Sequence, residues 1–388
     1  MVNWSEIPEE IIRKIAMEHL ESLEDFDAFG LVCSSWRNSI KDINNFCPYK
    51  NTQLPWLMLA DPPNNSHRRL YSLSKHMFRN INLPEHHDDR WMFFASKGWL
   101  ISSSLSNKNI TLFDPFSNKV IKLPNILPKV LHFDEIELVD EVTSLFVYYK
   151  FIISSRPSSS GDDFAVATMF DKTQRLAFWR PGHAEWSIPD AHFFINQVFD
   201  VCYFKEEFYA IDLYGKVMAF GSEVMKRQPR VVVDVSLRSD DLDSHLDVIP
   251  YLVEVENTLL VILRKIYMGD VGEEDEDKYY TDSFDILQLN VNDGKFKQVK
   301  GVGEHAIFLG FNSTFSVDAS SYKHGCKADC IYFTDVYIET FRSTSVCNGG
   351  SDMGIYSLKE RKVIERFYEG PSQFCDITPP LWVERPHF

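Results

Sequence analysis

Six times between Arg69 and Glu365, an apolar run is followed by a polar turn and a second apolar run, often closed by proline. The pairs are Arg69–Leu73 with Ile81–Pro84, Ile110–Pro115 with Val120–Pro124, and Leu176–Trp179 with Trp186–Pro189. Phe208–Asp212 with Val217–Phe220, Asp285–Leu289 with Phe296–Val299, and Gly354–Leu358 with Lys362–Glu365 complete the set. Short apolar runs flanked by Gly, Asn, Asp and Pro are strands joined as hairpins. No helical period separates them, so the sheets they build are antiparallel. Hairpins repeating over about 340 residues, at about 40–50 residues per blade, predict a β-propeller of six or seven blades. A pair of β-sandwiches is the alternative for the same pattern. No Trp-Asp dipeptide occurs, and Gly349-Gly350 lacks the Tyr and Trp that follow in a kelch blade.

The first 47 residues carry a different period. Ile7, Ile11, Ile12 and Ile15 recur at helical spacing, with Pro8 in the expected first turn and Glu9 and Glu10 at the positive end of the dipole. Ser22-Leu23-Glu24-Asp25 resembles a capping box, with Asp in place of Glu. After it Phe26, Phe29, Val32, Cys33, Trp36, Ile40 and Ile43 fall on one stripe, which Gly30 is expected to divide into two shorter helices. Cys47-Pro48 and Leu54-Pro55 stop the helical pattern. The chain therefore divides into an all-α piece, 1–47, and an all-β piece, 48–388. So small a helical piece cannot bury two apolar stripes unaided. It either caps the β piece or docks on a partner.

The residues narrow that choice. Trp4-Ser5-Glu6-Ile7-Pro8-Glu9-Glu10-Ile11-Ile12, Leu23-Glu24-Asp25 and Val32-Cys33-Ser34-Ser35-Trp36-Arg37 together resemble an F-box: an Ile-Pro helix start and a later Val-Cys-x-x-Trp-Arg at close to the family spacing. The stretch from Met17 to Glu21 is one residue longer than usual, and Gly30 stands where many members carry a larger residue. The β piece resembles plant F-box proteins whose C-terminal domain is an uncharacterised propeller (domain-of-unknown-function group 295). The segments that carry this likeness are Leu54–Leu59, Gly98–Ile101, Leu112–Phe116, Ala306–Phe311, Cys330–Asp335 and Pro379–Val383, in this order.

The resemblance implies docking on the Skp adaptor of a Skp–cullin–F-box ubiquitin ligase, and through it on cullin. Carried over by position, Ile7, Pro8, Ile11, Ile12 and Ile15 match the contact positions of the first helix, and Val32, Cys33 and Trp36 those of the later one. Trp36 with aliphatic neighbours has the make-up of an interface hot spot, and Cys33 that of a small buried hydrophobe. The β piece would then capture a target protein that the sequence does not name.

Composition trims the other classes. With 56 acidic against 40 basic residues the net charge is −16, which opposes general nucleic-acid binding. The apolar stretches, such as Thr258–Leu263, fall far short of the roughly 20 residues that span a bilayer. Met1–Glu6 has neither the basic start nor the apolar core of a signal peptide, and seven scattered cysteines suit reduced thiols. These features predict an intracellular protein of nucleus or cytoplasm without a membrane partner.

No Gly-x-Ser-x-Gly elbow or phosphate-cradling loop is present, so no catalytic residue and no cofactor is expected. His324, Cys326 and Cys330 invite a zinc reading, but a second ligand pair is lacking and Cys330 opens an apolar strand, so core cysteines are the better reading. His86-His87-Asp88-Asp89 reads as a solvated loop, as does Arg156–Gly161. Gly269–Ser283 holds seven acidic residues against Lys278 and also reads as a solvated loop, or as an acidic lip that steers a basic target. Two rivals remain: a propeller enzyme capped by the helices, and a binding module independent of Skp.

Overall fold

The computed structural model describes residues 4–20, 23–40, 54–59, 67–83, 91–104, 109–115, 119–126, 148–157, 163–171, 173–189, 197–221, 229–236, 246–268, 279–312, 314–322, 325–336, 352–367 and 379–384. Ser22 of the capping box, Ile43, the 47/48 boundary, His86–Asp89, Ser158–Gly161, Gly269–Lys278, His324, Cys347 and Gly349-Gly350 lie outside the described residues.

Three short helices come first: α1 (Glu9–His19), α2 (Leu23–Gly30) and α3 (Ser34–Ile40). Pro8 sits just before α1 rather than inside its first turn, and its carbonyl accepts from the amides of Ile11 (3.0 Å) and Ile12 (3.2 Å). Proline's fixed φ and missing N–H suit that position equally well. The second helical run is divided as expected, with a turn over residues 31–33 after Gly30.

Strands then build six sheets among the described residues. The first blade holds β1 (Trp56–Met58), β2 (His67–Ser72) and β3 (Met77–Asn82). The second holds β4 (Trp91–Ser96), β5 (Trp99–Ser104), β6 (Ile110–Phe113) and β7 (Val120–Leu123). The third holds β8 (Tyr148–Ile153), β9 (Val166–Phe170) and β10 (Arg175–Trp179), with its outer edge reduced to a single bridge, Phe178 to Ser187. The fourth holds β11 (Val198–Phe204), β12 (Glu207–Asp212), β13 (Lys216–Phe220) and β14 (Arg230–Asp234). The fifth holds β15 (Leu246–Val255), β16 (Thr258–Met268), β17 (Tyr279–Asn290) and β18 (Lys295–Val299). The sixth holds β19 (His305–Leu309), β20 (Thr314–Asp318), β21 (Cys330–Phe333), β22 (Gly354–Ser357) and β23 (Lys362–Arg366). Finally β24 (Leu381–Val383) pairs antiparallel with β1, Trp56 opposite Val383, and supplies the first blade's innermost strand.

The architecture is a six-bladed propeller, one of the two expected counts. Each hairpin read from the sequence falls in a different blade, and the Leu176–Pro189 hairpin survives only as the Phe178–Ser187 bridge. One expectation is corrected. The acidic stretch was expected to be loop as far as Ser283, but Tyr279–Ser283 already belong to β17, where aromatic and β-branched residues favour the strand.

The centre of the ring is not left open. In the sixth blade the chain folds β19 back on itself, so that β20 lies innermost and β19 runs parallel to β21. The connecting turn carries Asn312, which is fully buried. Its amide nitrogen donates to the Ala95 carbonyl in the second blade, and its oxygen accepts from the Phe151 amide at 3.0 Å in the third. Trp382 of the first blade donates to the Leu309 carbonyl at 3.3 Å, and Ser316 to the Glu254 carbonyl of the fifth at 2.6 Å. Contacts with four other blades place this hairpin across the propeller axis, as a plug.

Charged groups tie blades together where water is excluded. Lys150 of β8 pairs with Asp200 of β11, whose other oxygen accepts from the Leu252 amide at 2.7 Å in β15. Burial pushes the Asp200 carboxyl above the usual carboxylate range, while Lys150 and the amides of Leu252 and Val201 pull it back. Arg264 of β16 is wholly buried and reaches into the sixth blade. It donates to the Thr334 carbonyl at 2.8 Å and to Asp352 at 2.9 Å, and its Nε donates to Thr281 within the fifth blade at 2.8 Å.

Inner strands turn into their neighbours through two-residue connections with both residues at positive φ: Lys97–Gly98, Lys205–Glu206 and Glu256–Asn257. This twist matches that of a hairpin, but a side chain there costs roughly 1–2 kcal/mol unless it is Gly, Asn or Asp. Glu206 is neither glycine nor asparagine and has φ 64°. Glu206→Gly is therefore expected to stabilise the protein by about 1 kcal/mol, read as a rise in the urea midpoint at unchanged slope. A lowered midpoint would contradict the strain argument.

Candidate functional site

The helical segment has its own small core. Ile12 and Ala16 of α1, Phe29 of α2, and Trp36 and Ile40 of α3 are buried together. Trp36 packs against Phe29 with the rings tilted by 37° and 4.2 Å between centroids, and its indole N–H donates to the Trp4 carbonyl at 2.9 Å. Two arginines fasten the helices from outside the core. Arg13 donates to the Ser39 carbonyl at 3.2 Å, and Arg37 to the Gly30 carbonyl at 3.0 Å. A Cβ added at Gly30 would meet Ile40 at 3.4 Å and Arg37 at 3.9 Å, close to ordinary van der Waals contact at the α2–α3 packing.

The eight residues singled out by resemblance therefore separate into three sets. Ile12 and Trp36 are buried inside the segment. Ile7, Ile15 and Cys33 are half-buried and pack on that core. Pro8, Ile11 and Val32 face outward, with Ile11 48% and Val32 54% exposed. Only a side chain that still meets water can gain much by docking, because the gain scales with the apolar area removed from water. Trp36 has already made its contacts.

Sequence reasoning missed other outward residues. Trp4, Met17 and Leu31 are 61%, 54% and 74% exposed. The signal for Leu31 was present, since it falls outside the apolar stripe and directly after a helix-ending glycine.

The thiols of the zinc reading behave as core groups. Cys330 is buried at the start of β21, and Cys326 is half-buried against the same cluster. Burial pushes the Cys330 thiol up to about 11 and the Cys326 thiol up to about 12. A zinc ligand must be a thiolate, so this environment opposes the role. Among the described residues no three His, Cys, Asp or Glu side chains gather as a metal site. Among the same residues no helix is long and apolar enough to cross a membrane.

The propeller settles the family. Residues 70–357 match the KIB1-4 beta-propeller family model. The chain belongs to that family. Relatives of the KIB1-4 propeller chain in Arabidopsis thaliana are F-box proteins of about the same length. It is 21% identical over 410 residues to the F-box protein At2g17036, covering 100% of this chain and 96% of that protein. With the F-box protein SKIP23 it shares 22% identity over 431 residues, covering 99% of this chain and 96% of that one. Both alignments extend beyond the propeller into the helical segment. The resemblance to plant F-box proteins with a propeller domain thus holds along the chain.

Proposed function

We propose that this protein is the substrate-recognition adaptor of a Skp–cullin–F-box ubiquitin ligase, acting in the nucleus or cytoplasm. Residues 1–47 serve as the docking module and residues 48–388 as the target-holding propeller. The observation that carries the reading is the combination of the two-part F-box signature with full-length likeness to plant F-box proteins. Exposed Ile11 and Val32 within that signature support it further. Skp would be gripped through Ile11, Val32 and the outer atoms of Ile7, Pro8, Ile15 and Cys33, while Ile12 and Trp36 hold the helices in register beneath.

The protein itself performs no chemistry in this scheme. It holds a target beside the ubiquitin-charged enzyme, so that an encounter between two molecules becomes a reaction within one assembly. The full chain co-expressed with Skp should co-purify with it and bring cullin into the same complex. A chain that folds, as judged by its unfolding transition, yet retains no Skp overturns the reading.

A further inference from the structure

The axial plug leaves a cavity of about 470 Å³ on one face of the ring, within the range of specific ligand sites. It opens where the inner strands end, at the turns after β4 and β15 and beside the last part of β11, and the first part of β20 forms part of its lining. Three carboxylates from different places line it: Glu254 at the end of β15, Glu256 in the turn that follows, and Glu384 just after β24. Two cations face them, Lys97 and Arg156, but Arg156 is already paired with buried Asp114 at 2.7 Å. His305 lies 3.6 Å from Glu256 and offsets it only when protonated. The lining is therefore net negative. Two rings, Tyr203 and Phe315, share the wall.

We propose that this axial cavity receives the cationic side chain of a lysine or arginine presented by the protein that the propeller holds. Carboxylates supply the charge, and aromatic faces attract a cation within about 6 Å. The plug gives the cavity a floor, so a long side chain enters from one face and stops. A net charge of −16 steers such a partner toward the chain from a distance. The occupant's being a protein rests on the adaptor reading, whereas the charge preference rests on the cavity.

The test uses the full chain against arrays of nine-residue peptides, degenerate except at a fixed central Lys, Arg, acetyl-lysine, citrulline or Glu, at physiological salt. Fixed Lys or Arg should be retained at least about 10-fold over acetyl-lysine, citrulline and Glu. Glu254→Gln combined with Glu256→Gln should remove most of that preference, and Lys97→Gln should increase it. Unfolding transitions of each variant show whether the ring is intact, and the Lys97 variant decides the matter if the glutamine pair fails to fold. Equal retention of all peptides overturns the proposal. So does a preference for Glu, which would assign the cavity to anions through Lys97, and so does a Lys/Arg preference that survives the double variant. Skp capture scored on the same preparations separates the two readings. Capture without a basic preference sinks only the cavity, and a basic preference without capture sinks only the adaptor.

Discussion

Asp352→Ala is expected to lower the stability of the propeller by about 3–5 kcal/mol, the usual cost of removing one partner from a buried ion pair. Domains of ordinary stability hold only about 5–15 kcal/mol in reserve, so the variant should lose a large share of it. The reason lies in what Arg264 would then face. Its guanidinium is wholly buried and lies over the Phe333 ring at 4.9 Å. Burial alone would favour losing the proton, but the carboxylates, Asp352 first and then Asp335, keep it charged. Without Asp352 the charge keeps its hydrogen bonds to Thr281 and to the Thr334 carbonyl but loses its counter-ion. Thr281 loses its acceptor as well, since its hydroxyl donates to Asp352 at 2.7 Å. Combining Asp352→Leu with Arg264→Met should recover much of the loss, because an apolar pair leaves nothing charged in the interior. Urea midpoints of the single and double variants read both effects. An Asp352→Ala midpoint close to that of the unaltered protein would show that water reaches Arg264.

Joint replacement of Ile11 and Val32 by aspartate should weaken Skp capture by about 100-fold or more. Hot-spot side chains contribute about 2 kcal/mol or more each, and about 1.4 kcal/mol is a factor of ten in affinity. Both residues already face water, so the aspartates cost the free chain little, and the unfolding transition should stay in place. They cost the complex much, since a carboxylate would have to be buried without a partner. Trp36→Ala, in contrast, should also reduce capture, but with a loss of helical signal, because it empties the centre of the α1–α3 core. The contrast matters for design: the conspicuous tryptophan is the wrong residue with which to test the interface. Full Skp capture by the double aspartate variant would remove Ile11 and Val32 from the docking surface.

What the sequence disclosed follows from which strands carry visible punctuation. The outer hairpins have polar turns and exposed edges, as in β6–β7 and β17–β18, and five of the six expected ones formed, the third blade keeping only its bridge. The inner strands were not legible. β4, β8 and β11 are mostly buried on both faces, so they lack alternation, and buried Lys150 and Asp200 interrupt the apolar runs of β8 and β11. Asn312 gave no warning that it would bond to Ala95, 217 positions away. Period also identified the apolar stripe of α3 and its neighbours, but not which of its members turn inward. Trp36 and Val32 share a stripe in the sequence, yet Trp36 is buried and Val32 exposed, because a turn intervenes at residues 31–33.

The pairing of β1 with β24 also has a consequence for how the protein is made. Met58 leaves the ribosome more than 300 residues before Leu381, a wait of about 15–60 s at ~5–20 residues per second. Throughout that interval the nascent chain carries the bare edge of Trp56, Leu57 and Met58, an apolar strand with no neighbour on one side. Translation that stops early leaves the edge bare for good. A shortened product would therefore present itself to chaperones and proteases as an unfinished circle, whatever the quality of the blades already formed.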